Sequence, residues 1–558
     1  MKHFKLITGF VLIVFFSIFL MSGPAEANQQ YYSVQNHLVR WFEFKEDPFL
    51  IDDIEVNLKS KQKLDGFYRQ RSFDPIWTTD EGLEDFSRDF IGLLKKSSEK
   101  GLFPAEYYVE EIDLLITELF NTNDDYYKAQ LLTRLDLMLT DSFFVYLTDI
   151  LSGRIDREEE KRVWLKDDLN INLKEILNEV YVEQDIENIF SINENLDIRI
   201  PEYKIILENL SLYQQAQNGG GWSNISGGDI LRSGDRGERV KQLRERLQNE
   251  PGQWLNLESD NPDYFDQELQ RAVFNFQQKH GLLLTGQVGE NTLQALNKTA
   301  EEIIKTMKIN LERIRWLYQN AQETYIIANS PSFSMQFVHR GEEVTRERTI
   351  IGKKNRPTPV FSSYITSIVF NPRWYIPESI AVNDYLPHVK EDISYLEERN
   401  VKVYQETDSG FQEVNPEEID WEEQYENELE YYFWQEAGPW NALGDVIFQS
   451  PNNYHVYMHD TPEQYLFENQ IRSFSSGCVR VQNAIDLAEY FVEHFAEQKW
   501  EEIQEIRNEN NETVINLQER IPLHFTYFSV WVSAGDQIRI YDDVYEKDEH
   551  LKEIYFSQ

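Results

Sequence analysis

Tyr454-His455-Val456-Tyr457-Met458-His459-Asp460-Thr461-Pro462 alternates like a strand and ends at a turn. Nineteen residues after His459 comes Cys478, within Arg472-Ser473-Phe474-Ser475-Ser476-Gly477-Cys478-Val479-Arg480-Val481, ahead of a helix expected from Asn483 through Phe491. Cys478 is the chain's single cysteine, which excludes an internal disulfide and any multi-cysteine zinc or iron–sulfur site. A thiol is a strong nucleophile only as a thiolate, and a neighbouring imidazole supplies that state as a thiolate–imidazolium pair. Gly477 allows a tight turn and a close substrate approach. If Cys478 lies near the N-terminus of the next helix, the dipole favours the thiolate by a further ~0.3–1 kcal/mol. Backbone N–H groups of Gly477 and Cys478 would form an oxyanion hole. Spacing alone leaves open an inert, buried thiol. His455 and His459 share a face of a strand, but no third ligand lies nearby, so a metal site is not expected. A papain-like peptidase is disfavoured, because it places Cys before His and surrounds the Cys with helices.

Around this stretch the text is β-rich. Tyr325–Ile327, Phe333–Phe337, Thr349–Ile351, Ser367–Phe370, Leu523–Val532 and Gln537–Tyr541 read as strands with Gly and Pro punctuation. An acidic, aromatic insertion over 379–440 interrupts the series, and such insertions lie over one face and carry function. Upstream, Glu301 to Gln322 is an amphipathic helix carrying Ile303, Ile304, Met307, Leu311, Ile314 and Leu317. Residues 230–298 read as three short helices. The first carries Val240, Leu243 and Leu247, the second Ala272, Val273 and Phe276 up to a His280-Gly281 cap, and the third Thr292, Leu293 and Leu296. The glycines of 217–229 mark a flexible linker. Residues 28–216 read as helical, with Leu131, Leu132, Leu135, Leu137, Met138 and Leu139 in one helix and aromatic-anchored turns at Phe73–Trp77 and Gly101–Pro104. Nothing in that region assembles chemistry.

The 558 residues predict three to five domains, and 41% hydrophobic content rules out wholesale disorder. With 97 acidic and 54 basic residues the net charge is −43, a poor match for nucleic acid phosphates or anionic membranes. Residues 1–27 read as an export signal: basic Lys2, His3 and Lys5, an apolar run from Leu6 to Met21, and Ala25-Glu26-Ala27 before a mature start at Asn28. Sixteen apolar-dominated residues are short of the roughly 20 of a full span, which favours cleavage over an uncleaved membrane anchor. No cysteine near the site can be acylated.

His459-Asp460-Thr461-Pro462 and Ser475-Ser476-Gly477-Cys478-Val479-Arg480-Val481 resemble the L,D-transpeptidase (YkuD-type) signature. The closest likeness is to the long Gram-negative, YcbB-like branch, with Ser476 where many members carry a second histidine. Gly352-Lys353, Arg356-Pro357-Thr358-Pro359, Phe370–Pro377 and Gly438–Gly444 resemble further family segments, and 230–298 resembles the three-helix peptidoglycan-binding domain. The resemblance implies a multidomain α+β chain: a helical N-terminal scaffold, the three-helix binding module, a connecting helix over 299–324, and a mainly-β catalytic domain over 325–545. The 379–440 insertion becomes a capping subdomain, and 546–558 a C-terminal tail. It implies that Cys478 attacks the carbonyl of the third stem residue and releases D-alanine. His459 then acts as base, oriented by the backbone carbonyl of Asp460 or, alternatively, by its carboxylate. The Gly477 N–H joins the oxyanion hole. Arg480 either holds a substrate carboxylate or braces the catalytic loop, or else forms an ordinary buried ion pair, while Ser475, Ser476 and Asn441 contact substrate. No cofactor is implied. The implied partners are stem peptides and glycan, the implied inhibitors carbapenems, and the implied location the periplasm. Open alternatives are a hydrolase resolving the same acyl-enzyme with water and a non-catalytic wall-binding protein.

Overall fold

The computed structural model describes residues 33–44, 57–155, 172–186, 201–318, 323–426, 429–509, 511–533 and 535–557. The signal segment expected over 1–27 lies outside them. The chain divides into two compact units, one holding the described residues up to Arg154 with 172–186, the other those from Pro201 onward.

The first unit is helical, with helices at Val34–Phe44, Lys61–Gln70, Asp85–Lys95, Val109–Asn121, Asp125–Ser152 and Leu173–Glu183. Asp125–Ser152 is apolar on nearly every side and therefore runs through the middle, with Leu131, Leu132, Leu135, Leu137, Met138 and Leu139 all fully buried. Asp124 caps it by accepting from Tyr126 and Tyr127 N–H. The Phe73–Trp77 turn is held by a buried carboxylate of this helix: Asp136 accepts from the N–H groups of Ile76, Trp77 and Thr78. Sequence patterning exposes the helix but not this acceptor, which lies about sixty residues away.

The helix Pro201–Asn218, expected with the scaffold, belongs to the second unit, where it packs along Ala300–Tyr318. The stretch expected as a flexible linker is pinned. Ile225 sits in the core of the three-helix module and exchanges hydrogen bonds with the Asn297 side chain, while Trp222 donates to the Lys298 carbonyl. The module's helices are Glu238–Gln248, Gln267–Lys279 and Glu290–Leu296. Its Phe-Gln…Thr-Gly pattern has a physical reason. The buried Gln277 amide donates to Thr285 Oγ1, Thr292 Oγ1 and the Gln287 carbonyl, and accepts from the Thr285 and Gly286 N–H groups.

The region from Tyr325 onward contributes β1 (Tyr325–Asn329), β2 (Ser334–His339), β3 (Glu342–Gly352), β4 (Phe361–Phe370), β5 (Trp374–Tyr375), β6 (Val401–Thr407), β7 (Gly410–Val414), β8 (Tyr431–Gln435), β9 (Val446–Gln449), β10 (Met458–His459), β11 (Ser473–Ser475), β12 (Val479–Val481), β13 (Thr513–Thr526), β14 (Val530–Ser533) and β15 (Gln537–Ile540). Nine of these form one mixed sheet in the order β11-β3-β12-β10-β9-β4-β13-β1-β2, and a β2–β3 pairing closes it on itself. Period-two alternation fills the interior with Ile326, Met335, Phe337, Ile368, Phe370, Val446, Phe448, Met458, Val479, Val481, Leu523 and Phe525. The helix Ala484–Phe495 seals this core with Leu487, Ala488, Phe491 and Val492.

The insertion is a subdomain with its own four-stranded sheet, order β5-β8-β6-β7, and its own core of Ile376, Leu386, Val389, Val401, Val403 and Phe433. Its sheet begins at Trp374, earlier than the expected 379. The expected C-terminal tail is instead a helix, Lys547–Ser557. Leu551 and Tyr555 are fully buried, and Asp548 pairs with Arg313 at 2.6 Å.

Candidate active site

Register builds the site. β10 and β12 run parallel with Met458 opposite Val479 and His459 opposite Arg480. Alternation sends Met458, Val479 and Val481 into the core, so His459, Arg480 and the preceding Cys478 share the opposite face. The strand expected across Tyr454–His459 is only two residues long, and the preceding stretch is loop.

The imidazole is buried, and its Nδ1 lies 2.5 Å from the Asp460 carbonyl oxygen. A carbonyl only accepts, so Nδ1 carries the proton and Nε2 is left as a base. The Asp460 carboxylate is engaged elsewhere, accepting from the Asp445 N–H at 3.0 Å and from Gln464 Nε2 at 3.0 Å. Gly444 makes room for it: φ is +65°, and an added Cβ would lie 2.3 Å from Asp460 Oδ2.

Cys478 is half-buried, and its thiol faces the His455 carbonyl at 3.8 Å. Burial pushes the thiol up, opposed by a hydrogen bond from the Tyr457 backbone and by the Arg480 charge. Burial, with the Arg480 charge, pushes His459 down to about 3. Both shifts run toward the uncharged form of each group, against the thiolate–imidazolium pair expected from the sequence. Nor does the helix dipole act. The strand β12 separates Cys478 from the helix starting at Ala484, and a macrodipole fades beyond its first turn.

The loop carrying Cys478 is braced at every residue. Ser475 Oγ accepts from the Gly477 N–H at 3.1 Å and donates to the Cys478 carbonyl at 2.6 Å. Lys353 N–H reaches the Ser475 carbonyl at 2.9 Å. Thr358 Oγ1 accepts from the Gly352 N–H at 3.0 Å and donates to the Gly477 carbonyl at 2.8 Å. Tyr545 OH donates to the Gly352 carbonyl at 2.7 Å. Gly477 has φ +121°, and an added Cβ would meet only Val456 at 3.8 Å, so backbone conformation and not space calls for glycine there.

Several expected roles change. The Gly477 N–H, expected in an oxyanion hole, donates to Ser475 Oγ. Ser475 is buried and ties the loop, so it does not face substrate. Asn441 is fully buried, its amide donating to the Pro372 and Glu436 carbonyls and accepting from the Leu443 N–H, so it shapes the turn before β9. Of the roles open to Arg480, the structure has the ion pair, with Nη1 2.5 Å from Glu463 Oε2. Ser476 is exposed and accepts from Arg356 Nη1 at 3.1 Å. Arg356 also pairs with Asp384 of the inserted subdomain, so one guanidinium joins the Cys478 loop to the insertion. In sequence Thr358 and Arg356 stand only as parts of a motif, and no local pattern marks Tyr545 or Asp384. Among the described residues no cluster of three or more His, Cys, Asp or Glu side chains could hold a metal.

Residues 323–496 match the family model described as the L,D-transpeptidase catalytic domain, residues 62–210 a scaffold domain, and residues 236–296 a “Putative peptidoglycan binding domain”. A curated protein of Haemophilus influenzae named “Putative L,D-transpeptidase” is 31% identical over 253 residues, 45% of this chain and 49% of that protein. The chain thus spans about half the length of that relative. Among solved structures, an L,D-transpeptidase from Xylanimonas cellulosilytica aligns at 13% identity over 54% of this chain and 99% of that one, TM-score 0.17. Another from Stackebrandtia nassauensis aligns at 11% identity over 55% and 97%, TM-score 0.20. Scores this low carry no argument. The matches thus identify residues 323–496 as similar to the L,D-transpeptidase catalytic domain of the YkuD family, preceded by stretches similar to a scaffold domain and a putative peptidoglycan-binding domain.

Proposed function

We propose that this protein is a peptidoglycan L,D-transpeptidase that forms 3–3 cross-links through a thioester on Cys478. The observation that carries the reading is the shared face of Cys478 and His459, with the imidazole Nδ1–H held by the Asp460 carbonyl so that Nε2 is the basic nitrogen. In this mechanism the neutral pair reacts in concert with attack. Nε2 takes the thiol proton as sulfur adds to the carbonyl of the third stem residue, a diamino acid. With the Gly477 N–H engaged, the Cys478 N–H is the donor for the developing oxyanion. Collapse breaks the bond to the fourth-position D-alanine, whose amine leaves with the proton from His459. An acceptor amine then attacks the thioester, gives its proton to Nε2, and regenerates the thiol. No cofactor enters the cycle.

The same reading places the protein outside the cytoplasm, in the periplasm of a Gram-negative-type cell. The three-helix module holds stem peptide or glycan, and carbapenems acylate Cys478. A binding module and a cap suit two bulky wall substrates, which favours transfer over hydrolysis. The test is mass analysis of tetrapeptide muropeptides incubated with the protein. Dimers joined through two third-position residues are expected, with tripeptides as a minor product. Tripeptides alone across a range of acceptor concentrations would overturn transfer in favour of hydrolysis.

A further inference from the structure

The insertion meets the Cys478 loop where one of its helices departs from regular geometry. Glu378 to Glu391 is helical throughout, yet Pro387 lies inside it. Proline brings no N–H, and its ring crowds the carbonyl four residues back, here that of Asn383. The turn before it is widened: Ala381–Tyr385 is π-helical, and the Leu386 N–H donates to the Ala381 carbonyl, five residues back. Ala381, Tyr385 and Leu386 enter the insertion's core. Asp384 stays outside that core, with a side chain 39% exposed.

Arg356 spans from this carboxylate to the loop. Both of its terminal nitrogens pair with Asp384, Nη2 lying 3.1 Å from Oδ1, and Nη1 also donates to Ser476 Oγ at 3.1 Å. A planar guanidinium fork can serve a carboxylate and a hydroxyl at once, which a point-charge ammonium does not match. The turn that carries Arg356 is tied to the loop separately, by the Lys353 N–H on the Ser475 carbonyl and by Thr358 Oγ1 on the Gly477 carbonyl. Gly352 permits that turn, since an added Cβ would lie 2.1 Å from the Arg356 carbonyl oxygen. The loop is therefore braced without Asp384, while Asp384 relies on Arg356. An ion pair this exposed adds little to stability, so its two-point geometry serves orientation. It also stands on the open side of the loop, beside exposed Ser476 and two residues from Cys478, where a substrate has to enter. Resting on the transpeptidase reading, we propose that Arg356 is a positioning residue for the acyl donor. It fixes the insertion against the Cys478 loop so that a stem peptide is held between the two, and the thiol's own surroundings are set by the other braces.

Asp384→Asn, Arg356→Gln and the double variant test this in the full chain. With a disaccharide-tetrapeptide donor, each single change should lower kcat/KM about fivefold, the ceiling for a well-aligned surface pair, and mainly through KM. The double variant should match Arg356→Gln, because both changes remove one shared interaction. Arg356→Lys keeps the charge without the fork and should recover only part of the loss. Alkylation of Cys478 by iodoacetamide, which needs no insertion to hold it, should stay within about twofold of wild type in Asp384→Asn. Hydrogen exchange over residues 378–391 reads the link without substrate. It should quicken in Arg356→Gln as it does in Asp384→Asn, although Arg356 lies outside the insertion. Glu398→Gln, an exposed insertion carboxylate beside Arg399, should change none of these. Should Arg356→Gln fail to fold, Arg356→Lys takes its place. If the wild type consumes no tetrapeptide, the transpeptidase reading fails, and the exchange measurement still decides whether Arg356 holds the insertion. Unchanged exchange over 378–391 in Arg356→Gln overturns the proposal. So does an additive double variant, or an alkylation rate that falls as far as donor turnover.

Discussion

Replacing Thr358 by Val removes one hydroxyl while keeping volume and branching. The side chain is 1% exposed, and its oxygen links the Gly352 N–H at the end of β3 to the Gly477 carbonyl beside Cys478. Without it, the Gly352 N–H and the Gly477 carbonyl face an apolar methyl. An unsatisfied buried backbone group costs about 1–3 kcal/mol, so the variant should lose on the order of 3 kcal/mol. The loss falls on the loop that aims Cys478, where a displacement of about 1 Å can lower a rate roughly 100-fold. Urea unfolding followed by tryptophan fluorescence gives the first quantity, and the rate of carbapenem acylation by intact mass gives the second. Thr358→Ser keeps both hydrogen bonds and should stay within about twofold of wild type in rate. A valine variant that matched wild type in both measurements would refute the idea that this hydroxyl positions the nucleophile.

Other expectations follow from the same geometry. Cys478→Ala should keep the fold and lose the single carbapenem adduct, and an adduct on that variant would show that another group is the nucleophile. Gly444→Ala puts a Cβ against the Asp460 carboxylate at φ +65°, adding ~1–2 kcal/mol of backbone strain to a broken hydrogen bond. It should unfold several degrees early and turn over slowly, and a wild-type melting curve would contradict the stated clash. Burial pushes His524 down to about 4, so the folded state refuses a proton that the unfolded chain accepts near 6.5. Its contribution is whole above pH 6.5, is lost as pH falls toward 4, and amounts to about 2 kcal/mol between pH 7 and pH 5. His524→Asn should flatten the stability–pH slope in that window, and an unchanged slope would mean that His524 titrates alike in both states.

How far the sequence can be read depends on what each feature rests on. His459 and Cys478 are legible because their chemistry restricts the residue type and the flanking Gly and Pro mark the turns. The roles of Asn441, Ser475 and Arg480 are not, since an amide, a hydroxyl or a guanidinium looks the same in text whether it faces a groove or is buried against backbone. Leu551 and Tyr555 in a charged terminal stretch read as a tail, and only the apolar wall of Ala300–Tyr318 makes a helix of them. Glycines around Trp222 and Ile225 read as slack chain until the module's core takes up Ile225 and Trp222 donates to the Lys298 carbonyl.

Tyr545 lies sixty-seven positions beyond the cysteine it helps to hold. A polypeptide made from its amino end displays the complete Cys/His signature well before β13, the Asp543–Tyr545 segment and the closing helix exist. Until they arrive, β4 and β1 lack their shared neighbour and the Gly352 turn lacks its phenol. A nascent or clipped chain that ends before Tyr545 therefore carries the motif without the phenol that ties down the Gly352 turn.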